Sequence, residues 1–185
     1  SHWLPLFTVL FGTGCRIGEV IGLRWDDLDY ENREISINHA VIYRVMENGK
    51  AEFHVSTPKT KAGKRKIPMM EAVYQAFRDE YEAQKESGFN IEICDGMSGF
   101  VFANRNGGLH NPANINRAIR RIYEAYNAEE IIKAKKEKRV PILIPHFSCH
   151  HMRHTFCTRL CEVEENIKVA QDIMGHADVS TTLNI

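Results

Sequence analysis

Between Ile35 and Met69 the apolar residues step by two: Ile35 and Ile37, then Val41, Tyr43 and Val45, then Phe53 and Val55, and last Ile67 and Met69. That period belongs to strands with one buried face, and the Glu47-Asn48-Gly49 tip between two of the runs is a hairpin signal. On either side the spacing lengthens to that of helices. Trp3 to Phe11 is an apolar run halted by Gly12-Thr13-Gly14, with Thr13 or Gly14 as the cap of the next helix. Ile17, Val20, Ile21 and Leu23 give that second helix an apolar side, Val73, Ala76, Phe77 and Tyr81 a third, and Ile115, Ile119, Ile122 and Tyr123 a fourth that opens near Asn111-Pro112. Strands embedded between helices predict an α+β fold, mostly α-helical: helices around a small three-stranded antiparallel sheet with an extended hairpin on one edge. Residues 1–185 are read as one domain, long enough to bury a real core.

Charge narrows the partners. The 24 basic and 24 acidic side chains cancel and the pI is near 7.1, so a generally basic protein is excluded and any hold on nucleic acid must come from local clusters. One such cluster is Lys59-Thr60-Lys61-Ala62-Gly63-Lys64-Arg65-Lys66, a turn ahead of the last strand. No apolar run approaches the ~20 residues of a membrane span, and no basic-then-apolar leader opens the chain. The cysteines, Cys15, Cys94, Cys149, Cys157 and Cys161, are odd in number and lack a framework spacing. A reducing cytoplasm and no membrane partner are expected. The start at Trp3-Leu4 reads as the middle of something longer.

The densest chemistry lies in His150-His151-Met152-Arg153-His154, read as the first turns of a helix. Residues three apart share a helix face, so His150 and Arg153 project together from a helix start that already favours an anion. A permanently charged fork beside a group that exchanges a proton near neutral pH suits a phosphate undergoing chemistry. Alone, the stretch equally fits a surface arginine among satisfied histidines. Arg16 is a second misfit, a cation in the first turn of a helix, tolerable where an anion binds; Glu19 orients it or offsets it. A flexible lysine in the basic turn suits protonation of a leaving oxygen. His176 directly follows Gly175, which stops a short helix, Ile167 to Met174, capped by Asn166.

His150, His154, Cys157 and Cys161 are zinc-ligand types on one stripe. Their helical span is roughly 16 Å, whereas tetrahedral ligands lie within ~2.3 Å of one ion. No metal site is expected. Arg117, Arg120 and Arg121 on the fourth helix fit either contact with DNA or a solvated face, with solvation slightly favoured, and the charge-dense 129–139 stretch reads as an exposed helical extension or loop.

Thr13-Gly14-Cys15-Arg16-Ile17-Gly18-Glu19, Pro58-Lys59-Thr60-Lys61, His150 to Phe156 and Met174 to Thr182 together resemble, in order, the catalytic domain of the tyrosine recombinases, the phage and conjugative-transposon integrase family. Each word is weak alone, but the ordered set is specific and covers almost the whole chain. The resemblance implies a site-specific recombinase that cuts and rejoins double-stranded DNA through a 3′-phosphotyrosyl intermediate, integrating and excising a mobile element. It implies no cofactor, a homo-oligomer (a tetramer) on DNA, and a bacterial cytoplasmic protein at the nucleoid. Arg16 and Arg153 would bind the scissile phosphate, His150 would assist the nucleophile's proton transfer, His176 would donate a hydrogen bond, and Lys59, with Lys61 as the alternative, would protonate the 5′ oxygen. Glu19 and His154 would support them. Lys61, Lys64, Arg65 and Arg44 would grip DNA, the last from a hairpin arm that is equally a plain sheet extension. The alternatives are a type IB topoisomerase-like nicking-closing enzyme and a DNA-binding module without catalysis. None of Tyr30, Tyr43, Tyr74, Tyr81, Tyr123 and Tyr126 follows His176, as the family's nucleophile does; that tyrosine is expected immediately after Ile185, and the family's N-terminal DNA-binding domains are missing too.

Overall fold

The computed structural model describes residues 2–47, 49–58, 63–176, 178 and 180–181. Among them α1 (Leu4–Thr13) is central: it packs on α3 (Glu71–Ser87) and α5 (Cys149–Val163), with Leu6, Val9 and Leu10 fully buried. A helix apolar on most sides needs cover on most sides. It ends at Gly14, whose φ of 61° starts the turn into α2 (Ile17–Gly22). The N-cap of α2 is Arg16, not Thr13 or Gly14: the Glu19 carboxylate accepts from the Arg16 backbone N–H at 2.8 Å, and Thr13 is instead still within α1.

Strands β1 (Leu28–Asp29), β2 (Glu34–Ile37) and β5 (Arg65–Pro68) form a three-stranded antiparallel sheet in the order β1-β2-β5, with Ile35 opposite Ile67 and both buried. The hairpin, β3 (Ala40–Val45) with β4 (Ala51–Ser56), is a separate two-stranded sheet instead of a continuation of β2. The ladder breaks at Asn38-His39. Asn38 Nδ2 donates to Asp27 Oδ1 at 2.8 Å, and buried His39 donates from Nε2 to the Gly22 carbonyl at 2.6 Å, which turns the chain across α2. There the backbones nearly touch: a Cβ at Gly18 would lie 2.7 Å from the Val41 carbonyl oxygen, and one at Gly22 3.0 Å from the Val41 nitrogen. Only glycine allows that approach.

Residues 99–101 close the core beside α2, with Val101 N–H on the Leu23 carbonyl at 2.7 Å and Phe100 fully buried against the core. α4 (Pro112–Glu137), capped by the Asn111 side chain on Ala113 N–H, runs unbroken through most of the charge-dense stretch and ends before Lys138 and Arg139. Glu130, expected on an exposed face, is 8% exposed; it accepts from both Arg139 terminal nitrogens and from Ile142 N–H, and so folds the following segment back along the helix. α6 (Ile167–Met174) has Asn166 accepting from Lys168 N–H and Gly175 in the left-handed region, the boundaries its sequence predicts.

Candidate active site

Arg153 leaves the first turns of α5 and is 6% exposed. Its Nη1 donates to the Gly14 carbonyl at 2.5 Å, and its Nη2 to the Met174 carbonyl at 2.7 Å and to His176 Nε2 at 2.8 Å. Those carbonyls terminate α1 and α6, the ends of a helix that carry partial negative charge. The cation is therefore seated between two helix ends, and among the described residues no carboxylate is bonded to it. Burial and then the Arg16 charge, with a smaller push from Arg65 and partial relief from Glu19, lower its pKa to about 10, so it stays charged at neutral pH.

His176 is fixed by the turn that ends α6. Its N–H donates to the Gln171 carbonyl at 3.2 Å, and its own carbonyl accepts from Gln171 Nε2 at 2.9 Å. Burial, then the charges of Arg153, Arg16, Arg65 and His154, lower the ring's pKa to about 4. The imidazole is neutral at pH 7, and because arginine can only donate, the accepting Nε2 assigns its proton to Nδ1.

Each residue of Thr13-Gly14-Cys15-Arg16 has a local reason. Thr13 Oγ1 donates to the Val9 carbonyl at 2.6 Å and accepts from Cys15 N–H at 3.2 Å. Gly14 combines its positive φ with the Phe156 ring, whose Cδ1 would lie 2.3 Å from a Cβ there. Cys15 is buried, and burial pushes its thiol up to about 11. Arg16 then emerges with its side chain 48% exposed, braced by Nη1 on Glu19 Oε1 at 3.0 Å. Burial pushes the Glu19 carboxyl up, but the hydrogen bond and charge of Arg65 and the contacts from Arg16 outweigh that, and its pKa is lowered. Glu19 joins Arg16 to Arg65, Arg65 reaches the Ile173 carbonyl and Arg153 bonds His176, so residues far apart in the chain converge on one cationic cup.

The other candidates are distributed differently. His150 is exposed on α5, and its Nε2 lies 2.6 Å from His154 Nε2, so one proton serves the two facing nitrogens. Burial first, and the neighbouring charges of His150, His151 and Arg153, lower the His154 pKa. Lys59 and Lys61 lie outside the described residues. Lys64 and Arg44 are exposed, Arg44 opposite Glu52 in the hairpin. Arg65 departs from expectation: its side chain is 5% exposed and turned inward, Nη1 and Nη2 on the two Glu19 oxygens at 3.1 and 2.9 Å and Nε on the Ile173 carbonyl at 2.7 Å. It cannot grip a DNA backbone from there. Strand alternation carries the signal, because Arg65 shares a face with buried Ile67. Gln171, buried and holding His176, had no such signal. Among the described residues no group of three or more His, Cys, Asp or Glu is placed to hold a metal, and no helix is long and apolar enough to cross a membrane.

Known proteins resemble this chain in sequence and in fold. The transposase from transposon Tn916 of Enterococcus faecalis is 39% identical over 176 residues, 95% of this chain and 40% of the relative. A XerC-like tyrosine recombinase of Caldanaerobacter subterraneus is 26% identical over 97% of this chain and 44% of its own length. The solved structure of the Tn1549 transposon integrase in complex with transposon right end DNA superposes with a TM-score of 0.81 at 37% identity, covering 97% of this chain and 52% of that one. The chain thus spans about half, or less, of the length of the proteins it matches. Residues 4–185 match the phage integrase family, and the chain belongs to that family of tyrosine recombinases.

Proposed function

We propose that this chain is the catalytic domain of a site-specific recombinase that breaks and rejoins double-stranded DNA during integration and excision of a mobile element. The observation that carries the reading is Arg153, locked between two helix ends beside Arg16 and a neutral His176, with no carboxylate bonded to it among the described residues. A buried cation left in this state is preorganised for an anion whose charge grows during reaction.

A tyrosine hydroxyl, expected after His176, attacks the scissile phosphorus, and its proton passes to the His150/His154 pair. Arg16 and Arg153 meet the charge on the non-bridging oxygens of the pentavalent state, and the His176 ring donates from its protonated nitrogen. The bond to the 5′ oxygen breaks as Lys59 supplies a proton, leaving a 3′-phosphotyrosyl link and a free 5′ hydroxyl. Attack by another 5′ hydroxyl reverses these steps and joins a new strand, because the phosphodiester energy is conserved in the covalent link. Lys61, Lys64 and Arg44 hold the flanking backbone. The protein works as a homo-oligomer, a tetramer on its site, in the bacterial cytoplasm at the nucleoid. The Tn1549 integrase, solved with transposon DNA, supports the choice of substrate.

The test is a suicide duplex, nicked beside the site, incubated with the full-length protein. A covalent protein–DNA adduct is expected, and Arg16→Ala should abolish it. No adduct with wild type, or an undiminished one with Arg16→Ala, overturns the reading.

A further inference from the structure

We propose that Arg65 is a positioning residue for the reacting phosphate: through Glu19 it sets Arg16, and through the Ile173 carbonyl it sets the turn that presents His176. This rests on the roles proposed above for Arg16 and His176.

Arg65 stands at the start of β5, paired with Ile37, and enters the protein beside Ile67. Its planar group is used on three sides. The two terminal nitrogens clasp both oxygens of Glu19, while Nε reaches the last turn of α6. The same Glu19 oxygens take the Arg16 backbone N–H at 2.8 Å and its Nη1 at 3.0 Å. One rigid fork therefore joins three elements: the strand after the basic turn, the helix start carrying Arg16, and the helix end carrying His176. Without it, Arg16 and Glu19 would form a half-exposed i,i+3 pair, an interaction too weak to hold a long side chain in one geometry. With it, the carboxylate is anchored from inside and shared between two cations, so Arg16 keeps unneutralised charge for the phosphate. Lysine cannot replace the fork, because a single ammonium nitrogen cannot meet both carboxylate oxygens in plane and the Ile173 carbonyl from the opposite side. Arg65 is itself withdrawn from solvent, which excludes a direct grip on substrate.

The experiment uses the full-length protein in single-turnover adduct formation on two suicide duplexes, one with a normal scissile phosphate and one with a neutral methylphosphonate there. Arg65→Lys is expected to slow adduct formation on the order of 10- to 100-fold on the normal duplex, with DNA affinity unchanged. On the methylphosphonate, which carries less charge for Arg16 to meet, the loss should shrink, and it should shrink alongside that of Arg16→Ala. A role in folding alone would cost the same on both duplexes. Glu19→Gln approaches the same linkage from its other end, should give the same pattern, and decides the matter if Arg65→Lys does not fold. The inference fails if either folded variant reacts at the wild-type rate, if its loss is equal on the two duplexes, or if the loss is matched by weaker DNA binding. Failure of the underlying reading looks different: wild type then forms no adduct, or Arg16→Ala forms it normally.

Discussion

Arg153 and His176 share one hydrogen bond, 2.8 Å from Nη2 to Nε2, which makes the charged fork and the neutral ring a single unit. A proton on Nε2 would face an N–H head-on, so the pair exists only while the ring is neutral. That has a consequence for stability. The imidazole takes a proton near pH 6.5 when unfolded and near 4 when folded. Between those values the unfolded chain binds more protons, so stability is fully present above pH 6.5 and is lost as pH falls toward 4. His176→Asn should flatten the curve of thermal midpoint against pH in that window. Some slope will remain from His110, which burial lowers to about 4 as well. An unchanged slope would show that the ring is not held neutral.

Arg16 and Arg153 should separate function from folding. Arg16 is half exposed and its partner Glu19 keeps Arg65, so Arg16→Ala should change stability by no more than about 0.5 kcal/mol. Arg153→Lys strands buried carbonyls of Gly14 and Met174 at about 1–3 kcal/mol each. Both should slow adduct formation, by about 10²–10³-fold for a lost charge-stabilising donor. Urea denaturation beside the trapping assay distinguishes them; equal stability losses would contradict the geometry.

Gly14→Ala is expected to be costly for two additive reasons. The left-handed backbone costs a residue with a Cβ about 1–2 kcal/mol, and the overlap with Phe156 adds about 1–3 kcal/mol. Trimming the ring in Gly14→Ala/Phe156→Ala should relieve the overlap relative to the sum of the single changes, a coupling that a double-mutant cycle in urea reads directly.

Salt dependence of DNA binding sorts the cations of the basic turn. Exposed Lys64, replaced by Gln, should reduce the slope of log K against log salt by about 0.9 if it neutralises one phosphate. Arg65→Gln should leave the slope unchanged, since that side chain is turned inward onto Glu19 and is 5% exposed. A fall in slope at Arg65 would return it to the DNA-gripping set.

Glu130 gives a local acid response. The Arg139 hydrogen bond first, with the Ile142 N–H, holds its carboxyl down at about 2, below the ordinary 4.5. This contribution is complete above pH 4.5 and fades as pH falls toward 2. Amide exchange at Ile142, measured by NMR, should accelerate across that interval before the core opens. Simultaneous exchange of Ile142 and Val9 would show that the fold-back is not a separate unit.

What could be read from the amino-acid order was mostly local. Asn166 and Gly175 bracket α6 because a cap and a left-handed stop act within a few residues. The two-residue period found β2 and β5, and would have turned Arg65 inward had its charge not outweighed its phase. The break at Asn38-His39 was not legible, because it depends on Asp27 and the Gly22 carbonyl, partners set by tertiary contact. Glu130 was hidden in a run of charges for the same reason: its partner Arg139 lies past the end of the helix. Of the cup, the residue types and their order were visible, whereas the two carbonyls that seat Arg153 belong to the backbone and leave no trace in side-chain identity.

The bare contact of Gly18 and Gly22 with the hairpin has a mechanical meaning. Side chains between a ribbon and a helix act as a compliant cushion; here peptide rests on peptide, and there is nothing to compress. The helix that the ribbon rests on is under two turns long and its N-cap is Arg16, so the hairpin backs the backbone from which that guanidinium emerges.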